Sequence, residues 1–222
     1  MSKIVHPYAH RLGILRDWRH RWFAAGPKYQ EYLKADILLR EFLQKDLRGM
    51  HIGGIEIERN DKTLRVVIKT SRPGLIIGRS GEGSVKLKNK IVSFLSKKKL
   101  SVPEIKLDIE EIRSPESNAA IVAYMVAEGL EKRLPFRRVL KQTIEKTMAN
   151  RDVKGVRIAL GGMLGGGSMS RKEELKKGRI PLQTFRSDID YAKERANLPL
   201  GVIGVKVWIY RGEVFTVSSK DK

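Results

Sequence analysis

The chain has 222 residues, with 45 Lys and Arg against 25 Asp and Glu, so its formal charge is +20 and its pI about 10.2. That excess makes a polyanion the expected partner, and 41% hydrophobic content excludes a wholly disordered chain; there is length enough for one large or two small cored domains. The absence of Cys excludes disulfides, a Cys nucleophile and zinc ribbons. No apolar run approaches the roughly 20 residues of a spanning helix, which favours nucleic acid over a membrane, and Met1-Ser2-Lys3 leads into no signal segment, so a cytoplasmic protein is expected.

Residues 1–27 read as a basic arm. Lys3, Arg11, Arg16, Arg19 and Arg21 interleave with His6, His10, Trp18, His20, Trp22 and Phe23, with no helical or strand period. Such an arm can pair phosphates through Arg while an aromatic ring stacks on a base. The alternative is that Trp18, Trp22 and Phe23 pack onto the arm's own domain.

Residues 28–112 read as a first domain. Leu39, Leu43 and Leu47 at i, i+4 and i+8 predict a helix over 28–48, stopped by Gly49, with Gly53-Gly54 as a turn. Ile55 and Ile57 alternate with Glu56 and Glu58 as a strand. After a turn at Asn60-Asp61, Leu64, Val66 and Ile68 mark a second. The apolar run Leu75-Ile76-Ile77 leads into Gly78-Arg79-Ser80-Gly81, and a helix with Leu87, Ile91 and Leu95 on one stripe follows over about 82–98. Ile105, Leu107 and Ile109 form a third strand. Two glycines three apart let the backbone approach another chain closely, and the following helix aims free N–H groups and its positive dipole end at that turn. This order resembles the type II KH fold, whose Gly-x-x-Gly loop joins two helices on a three-stranded sheet and clamps about four nucleotides of backbone. Arg72, Gly78, Arg79, Ser80 and Gly81 are therefore the candidate RNA-binding loop. Lys97-Lys98-Lys99 reads equally as a second phosphate contact or a solvated helix end.

Residues 113–215 read as a second, two-layer α/β domain, with a tail over 216–222. Ser114-Pro115 suggests a helix start, and Ile121, Val122, Met125, Val126 and Leu130 carry a helix to about Arg133. Pro135 opens another, with Phe136, Leu140, Ile144 and Met148 inward and Arg137, Arg138 and Lys141 together on the outer face. Spacing alone favours a solvated face there, partly neutralised by Glu145. Val156, Ile158 and Leu160 form a strand that ends in Gly161-Gly162-Met163-Leu164-Gly165-Gly166-Gly167. No Lys precedes Ser168, so this is not a nucleotide-binding P-loop. Arg171, Lys172, Lys176, Lys177, Arg179 and Arg186 keep the region basic, and Val205, Val207 and Ile209 form a closing strand. The overall class is α/β (α+β).

Catalytic constellations are thin. Asp188 and Asp190 could hold Mg²⁺ or serve a nuclease, but no third ligand is near in sequence, and pairing with Arg186 and Arg195 is the expected role. The four His residues form no H-x-x-x-H or H-E-x-x-H pattern, and no Gly-x-Ser-x-Gly elbow is present. The expectation is a non-enzyme without cofactor or metal; a free KH-type regulator is the other binding-module reading.

Several long stretches resemble the family of the third protein of the small ribosomal subunit, in its bacterial form. They are Arg11-Leu12-Gly13-Ile14 with Asp17-Trp18 and Arg21-Trp22-Phe23-Ala24, Arg72 through Gly81, Phe136-Arg137-Arg138, Gly178 through Tyr191, and Gly201 through Ile209. The resemblance implies a place on the head of the small subunit, with 16S-type ribosomal RNA and messenger RNA as partners. It implies protein neighbours too: the tenth and fourteenth small-subunit proteins in the head, and the fourth and fifth across the messenger entry channel. It assigns Arg137, Arg138 and Lys141 to incoming messenger. Arm residues Lys3, Arg11, Arg16, Arg19, Arg21 and Trp22, with Arg171, Lys172, Arg179 and Arg186, become candidate ribosomal RNA contacts. The chain departs from the family's usual pattern at His6 (Asn), Ala9 (Gly) and Met163 (Arg), and Ser80 leaves the loop one basic residue where two are frequent.

Overall fold

A computed structural model describes residues 5–60, 62–101 and 104–215. The chain divides into two compact units. One is Trp18–Arg113; the other takes its described residues from Met1–Asp17 and Ser114–Lys222. The arm is therefore shared between the units.

In the first unit, Pro27 at the first helical position opens α2 (Pro27–Asp46), which buries Ala35, Leu39 and Leu43 at helical spacing. The short α1 (Pro7–His10) precedes it, in the other unit. Strands β2 (Ile52–Arg59), β3 (Thr63–Thr70) and β4 (Glu104–Glu111) follow in chain order, with α3 (Pro73–Ile77) and α4 (Glu82–Lys97) between the last two. β2 and β3 pair antiparallel, β3 and β4 parallel. The inward residues Ile57, Leu64, Val66, Ile68 and Ile105 meet Leu39, Leu43, Ile76, Leu87, Ile91 and Leu95 of the helices in one core. This is the expected KH order.

Two expectations need correction. The sheet has four strands, because His20–Arg21 of the arm forms β1 and pairs parallel with the free edge of β2. Gly53-Gly54 is not a turn: both lie inside β2, where the register shifts between Ile52 and Gly54. The smallest residues thus stand where a bulge bends the strand.

In the second unit, α5 (Ala119–Glu131) and α6 (Phe136–Ala149) cover one face of an antiparallel sheet of order β6-β5-β8-β7. Its strands are β5 (Gly155–Gly162), β6 (Arg171–Gly178), β7 (Ser187–Leu198) and β8 (Gly201–Glu213). Val156, Ile158, Val205, Val207 and Ile209 face Val122, Val126, Leu140 and Ile144. The other face buries Trp208, Tyr210 and Ile189 beneath Ile180 and Leu182 of the preceding loop. Helix α5 starts later than Ser114-Pro115 suggests. Those residues form a single 3₁₀ turn with Ser117, and Asn118 caps the helix by accepting from the Ala120 and Ile121 N–H groups. β6 is an element the residue pattern does not announce, since Arg-Lys-Glu-Glu-Leu-Lys-Lys-Gly has no alternation. It is an edge strand with little to bury.

Candidate nucleic-acid interface

The Gly-x-x-Gly turn links α3 to α4 and is open to solvent over Gly78, Arg79 and Ser80. Its backbone has positive φ at Gly78 (70°), Ser80 (52°) and Gly81 (82°), a region the two glycines enter at low cost and Ser80 only with strain. Among the described residues no side chain at or beside Gly81 caps α4, while the N–H of its first residue, Glu82, donates to the Arg79 carbonyl within the turn. A third glycine, absent from the sequence-based list, makes the turn possible. A Cβ on Gly83 would lie 2.4 Å from the Ile76 carbonyl oxygen and 2.8 Å from that of Ile77. Ser84 tightens the same turn by donating its hydroxyl to the Gly81 carbonyl at 2.7 Å. Beside the loop, Leu75, Ile77 and Val85 expose 55, 39 and 58% of their surface, enough for a base to pack on. Arg72 stands exposed at the start of α3, its N–H bonded to Thr70 Oγ1.

The outer face of this unit's sheet carries a charge ladder instead. Glu58 accepts from Arg21 and Arg65, Arg65 also pairs with Asp108, and Lys69 with Glu56 and Glu110. Alternating signs across neighbouring strands leave no basic surface there.

On α6, burial of Val139, Leu140, Thr143, Ile144 and Thr147 forces Arg137, Arg138 and Lys141 outward. The Arg137 guanidinium lies 5.6 Å from the Phe136 ring centroid and 3.8 Å from Glu173. Arg171 takes a matching place over Phe136 at 5.6 Å and also reaches Glu173, at 3.5 Å. Among the described residues, Arg138 and Lys141 make no ion pair. Glu145, expected to neutralise this face in part, forms no ion pair with Arg137, Arg138 or Lys141 among the described residues.

Comparison with known proteins shows what this architecture belongs to. A family profile described as "Ribosomal protein S3, C-terminal domain" matches residues 126–209, and a KH-domain profile matches residues 38–117. The small ribosomal subunit protein uS3 of Ectopseudomonas mendocina (strain ymp) is 43% identical over 214 residues, covering 96% of this chain and 91% of that protein. The uS3 protein of Pseudomonas aeruginosa (strain UCBPP-PA14) gives the same figures. The chain belongs to the uS3 family.

Membership makes it a ribosomal protein of the small subunit with an RNA-binding KH domain, and not an enzyme. Against that frame, the remaining candidate contacts of this uS3-family chain divide by their surroundings. Lys3 lies outside the described residues. Arg11 is a correction: it is fully buried and donates to the carbonyls of Ser187 (2.6 Å), Pro7 (3.0 Å), Leu182 (3.0 Å) and Thr184 (2.9 Å). Burial lowers its pKa, yet the guanidinium stays charged and is held by backbone, with no face for phosphate. Arg16 is half-buried on Asp188 at 2.6 Å; burial works against its charge, but Asp188 and Asp190 together raise its pKa.

Arg19 is exposed and its carbonyl accepts from the Ile57 N–H, continuing the β1 pairing. Arg21 is exposed on the charge ladder. Trp22 packs within its own unit, 5.4 Å from Tyr29 and 6.1 Å from Tyr32, while Trp18 and Phe23 stay 64 and 89% exposed. Trp22 thus follows the packing alternative. Lys172 and Arg179 are exposed, and Arg186 pairs with Glu213 at 2.9 Å.

The two aspartates have partners other than those expected. Arg211 sits at a register shift in β8 opposite Asp188 and Ile189, which aims its side chain at both carboxylates, 3.7 Å from Asp188 and 3.3 Å from Asp190. Asp190 also accepts from the Ala119 N–H at 2.9 Å, at the start of α5. Both carboxylates serve the fold.

Proposed function

We propose that this uS3-family protein is a constituent of the small-subunit head that binds 16S-type ribosomal RNA and borders the channel where messenger RNA enters, working in the cytoplasm. The observation that carries the messenger role is the α6 face, where Arg138 and Lys141 stand exposed with no ion pair among the described residues and Arg137 is held beside them over Phe136. Cations fixed on a rigid helix can follow a single-stranded phosphate backbone without reading sequence. The uncapped start of α4 at Gly78–Gly81, with Arg79, supplies a second phosphate site for RNA. In this reading the tenth and fourteenth small-subunit proteins are neighbours in the head, and the fourth and fifth face α6 across the channel.

The test is Arg137→Ala, Arg138→Ala and Lys141→Ala together, in ribosomes translating messages with and without a stable hairpin. Several-fold slower passage through the hairpin is expected, with unstructured messages read at the normal rate. Equal slowing of both kinds would overturn the entry-channel role.

A further inference from the structure

At one end of the second unit's sheet, the α5–α6 turn, the loop after β5 and the β7–β8 turn enclose a groove of about 580 Å³. That volume is within the range of about 300–1,000 Å³ typical of sites that hold a ligand. Its walls are Leu134, Phe136, Met163, Leu198 and Leu200, over a floor that includes Ile203. Leu134 and Leu200 expose 46 and 64% of their surface, a cost that a groove with no occupant would carry for nothing. Pro135, in the α5–α6 turn, and Pro199, in the β7–β8 turn, each fix φ in the segments that line it. Arg133 is the one charged residue in the lining, and it makes no ion pair among the described residues.

We propose that this groove docks an apolar segment of a neighbouring protein, which places one or two large side chains between Leu134 and Leu200 and a carboxylate against Arg133. Charge complementarity sets the sign: an unpaired guanidinium at the rim of an apolar groove selects an acidic neighbour to the anchoring side chain. A nucleobase suits the site poorly, because no polar side chain other than Arg133 lines it and the base's hydrogen-bonding edge would be buried unsatisfied. A second copy of this chain would bring another +20 to the same place. Residues 216–222 span at most about 25 Å, whereas β8 carries the chain roughly 40 Å from the groove before they begin.

The chain has no Cys, so Leu200→Cys creates a single attachment point for a benzophenone photo-crosslinker. The full-length labelled chain is assembled into small subunits, irradiated, and the attached material identified by mass spectrometry. A crosslink is expected to one protein segment that has Asp or Glu within a few residues of a large apolar side chain. Adding Arg133→Glu is expected to lower its yield about fivefold or more. Attachment to RNA or to another copy of this chain, no attachment above the unirradiated level, or a yield insensitive to Arg133→Glu would each overturn the proposal. Leu134→Cys, on the facing wall, gives an independent label if Leu200→Cys subunits fail to assemble.

Discussion

Arg11 shows how burial decides what a charged residue does. A guanidinium has five donors in a fixed fork, and here the carbonyl of Pro7 and those of Pro181, Leu182, Thr184 and Ser187 in the loop before β7 meet them. Arg11→Met keeps some volume but leaves those buried acceptors without a donor, so a loss on the order of 3–5 kcal/mol is expected in urea unfolding. A loss under about 1 kcal/mol would show that water replaces the guanidinium. His20, partly buried, is the second ionisable group of interest. Its Nδ1 faces Asp36 Oδ1 at 3.6 Å, and neither atom has a hydrogen-bond partner among the described residues. Burial lowers the imidazole pKa, with Arg40 and Arg19 acting in the same direction against Asp36 and Glu56. The folded state therefore binds the proton less well than the unfolded chain. The stability tied to neutral His20 is complete above the unfolded value of 6.5 and is lost as pH falls towards the folded one. Melting temperature should fall more steeply from pH 7.5 to 5.5 in the native protein than in His20→Gln. Equal slopes would remove His20 as the source.

At the level of elements, the two proposed RNA contacts work by different means. The α6 strip is a row of side-chain charges, tolerant of what it touches. The loop between α3 and α4 works through backbone N–H groups, and its geometry depends on left-handed residues and on the close approach of Gly83 to α3. Negative charge there should act directly on a phosphate. Gly78→Asp with Gly81→Asp is expected to weaken binding of a short single-stranded RNA about tenfold at matched salt relative to Gly78→Ala with Gly81→Ala, which carries the same backbone strain without the charge. Equal affinity would exclude the loop as a contact.

For the whole molecule, the division of the arm has a mechanical consequence. Arg11 and Arg16 belong to the second unit through Ser187, Leu182, Thr184 and Asp188, whereas β1 belongs to the first through β2. Deleting residues 1–17 should therefore loosen one unit only. Amide exchange is expected to quicken along β7 and its flanking loop while β3 and α4 keep their protection. Faster exchange in both units alike would contradict this. The core of the first unit, formed by Trp18–Arg113 alone, explains why its strands should be indifferent.

What the amino-acid sequence determined by itself was everything with a period or a strict stereochemical requirement. The alternation of Leu64, Val66 and Ile68, the Leu87–Ile91–Leu95 stripe and the paired glycines of the loop each follow from local geometry, and they suffice for the KH order. The outward set of Arg137, Arg138 and Lys141 was legible for the same reason, because one face of α6 must be apolar. Tertiary structure decided the rest. β6 has almost no apolar residues to alternate, so only its hydrogen bonding to β5 makes it a strand. Arg11 and Arg79 are the same residue type in equally basic surroundings, yet one is enclosed by carbonyls far away in sequence and the other meets solvent. Asp188 and Asp190 find Arg16 and Arg211 instead of their sequence neighbours, since a bulge in β8 turns Arg211 towards them. Charge is a property of the residue; whether it faces phosphate or backbone depends on which distant segments fold around it.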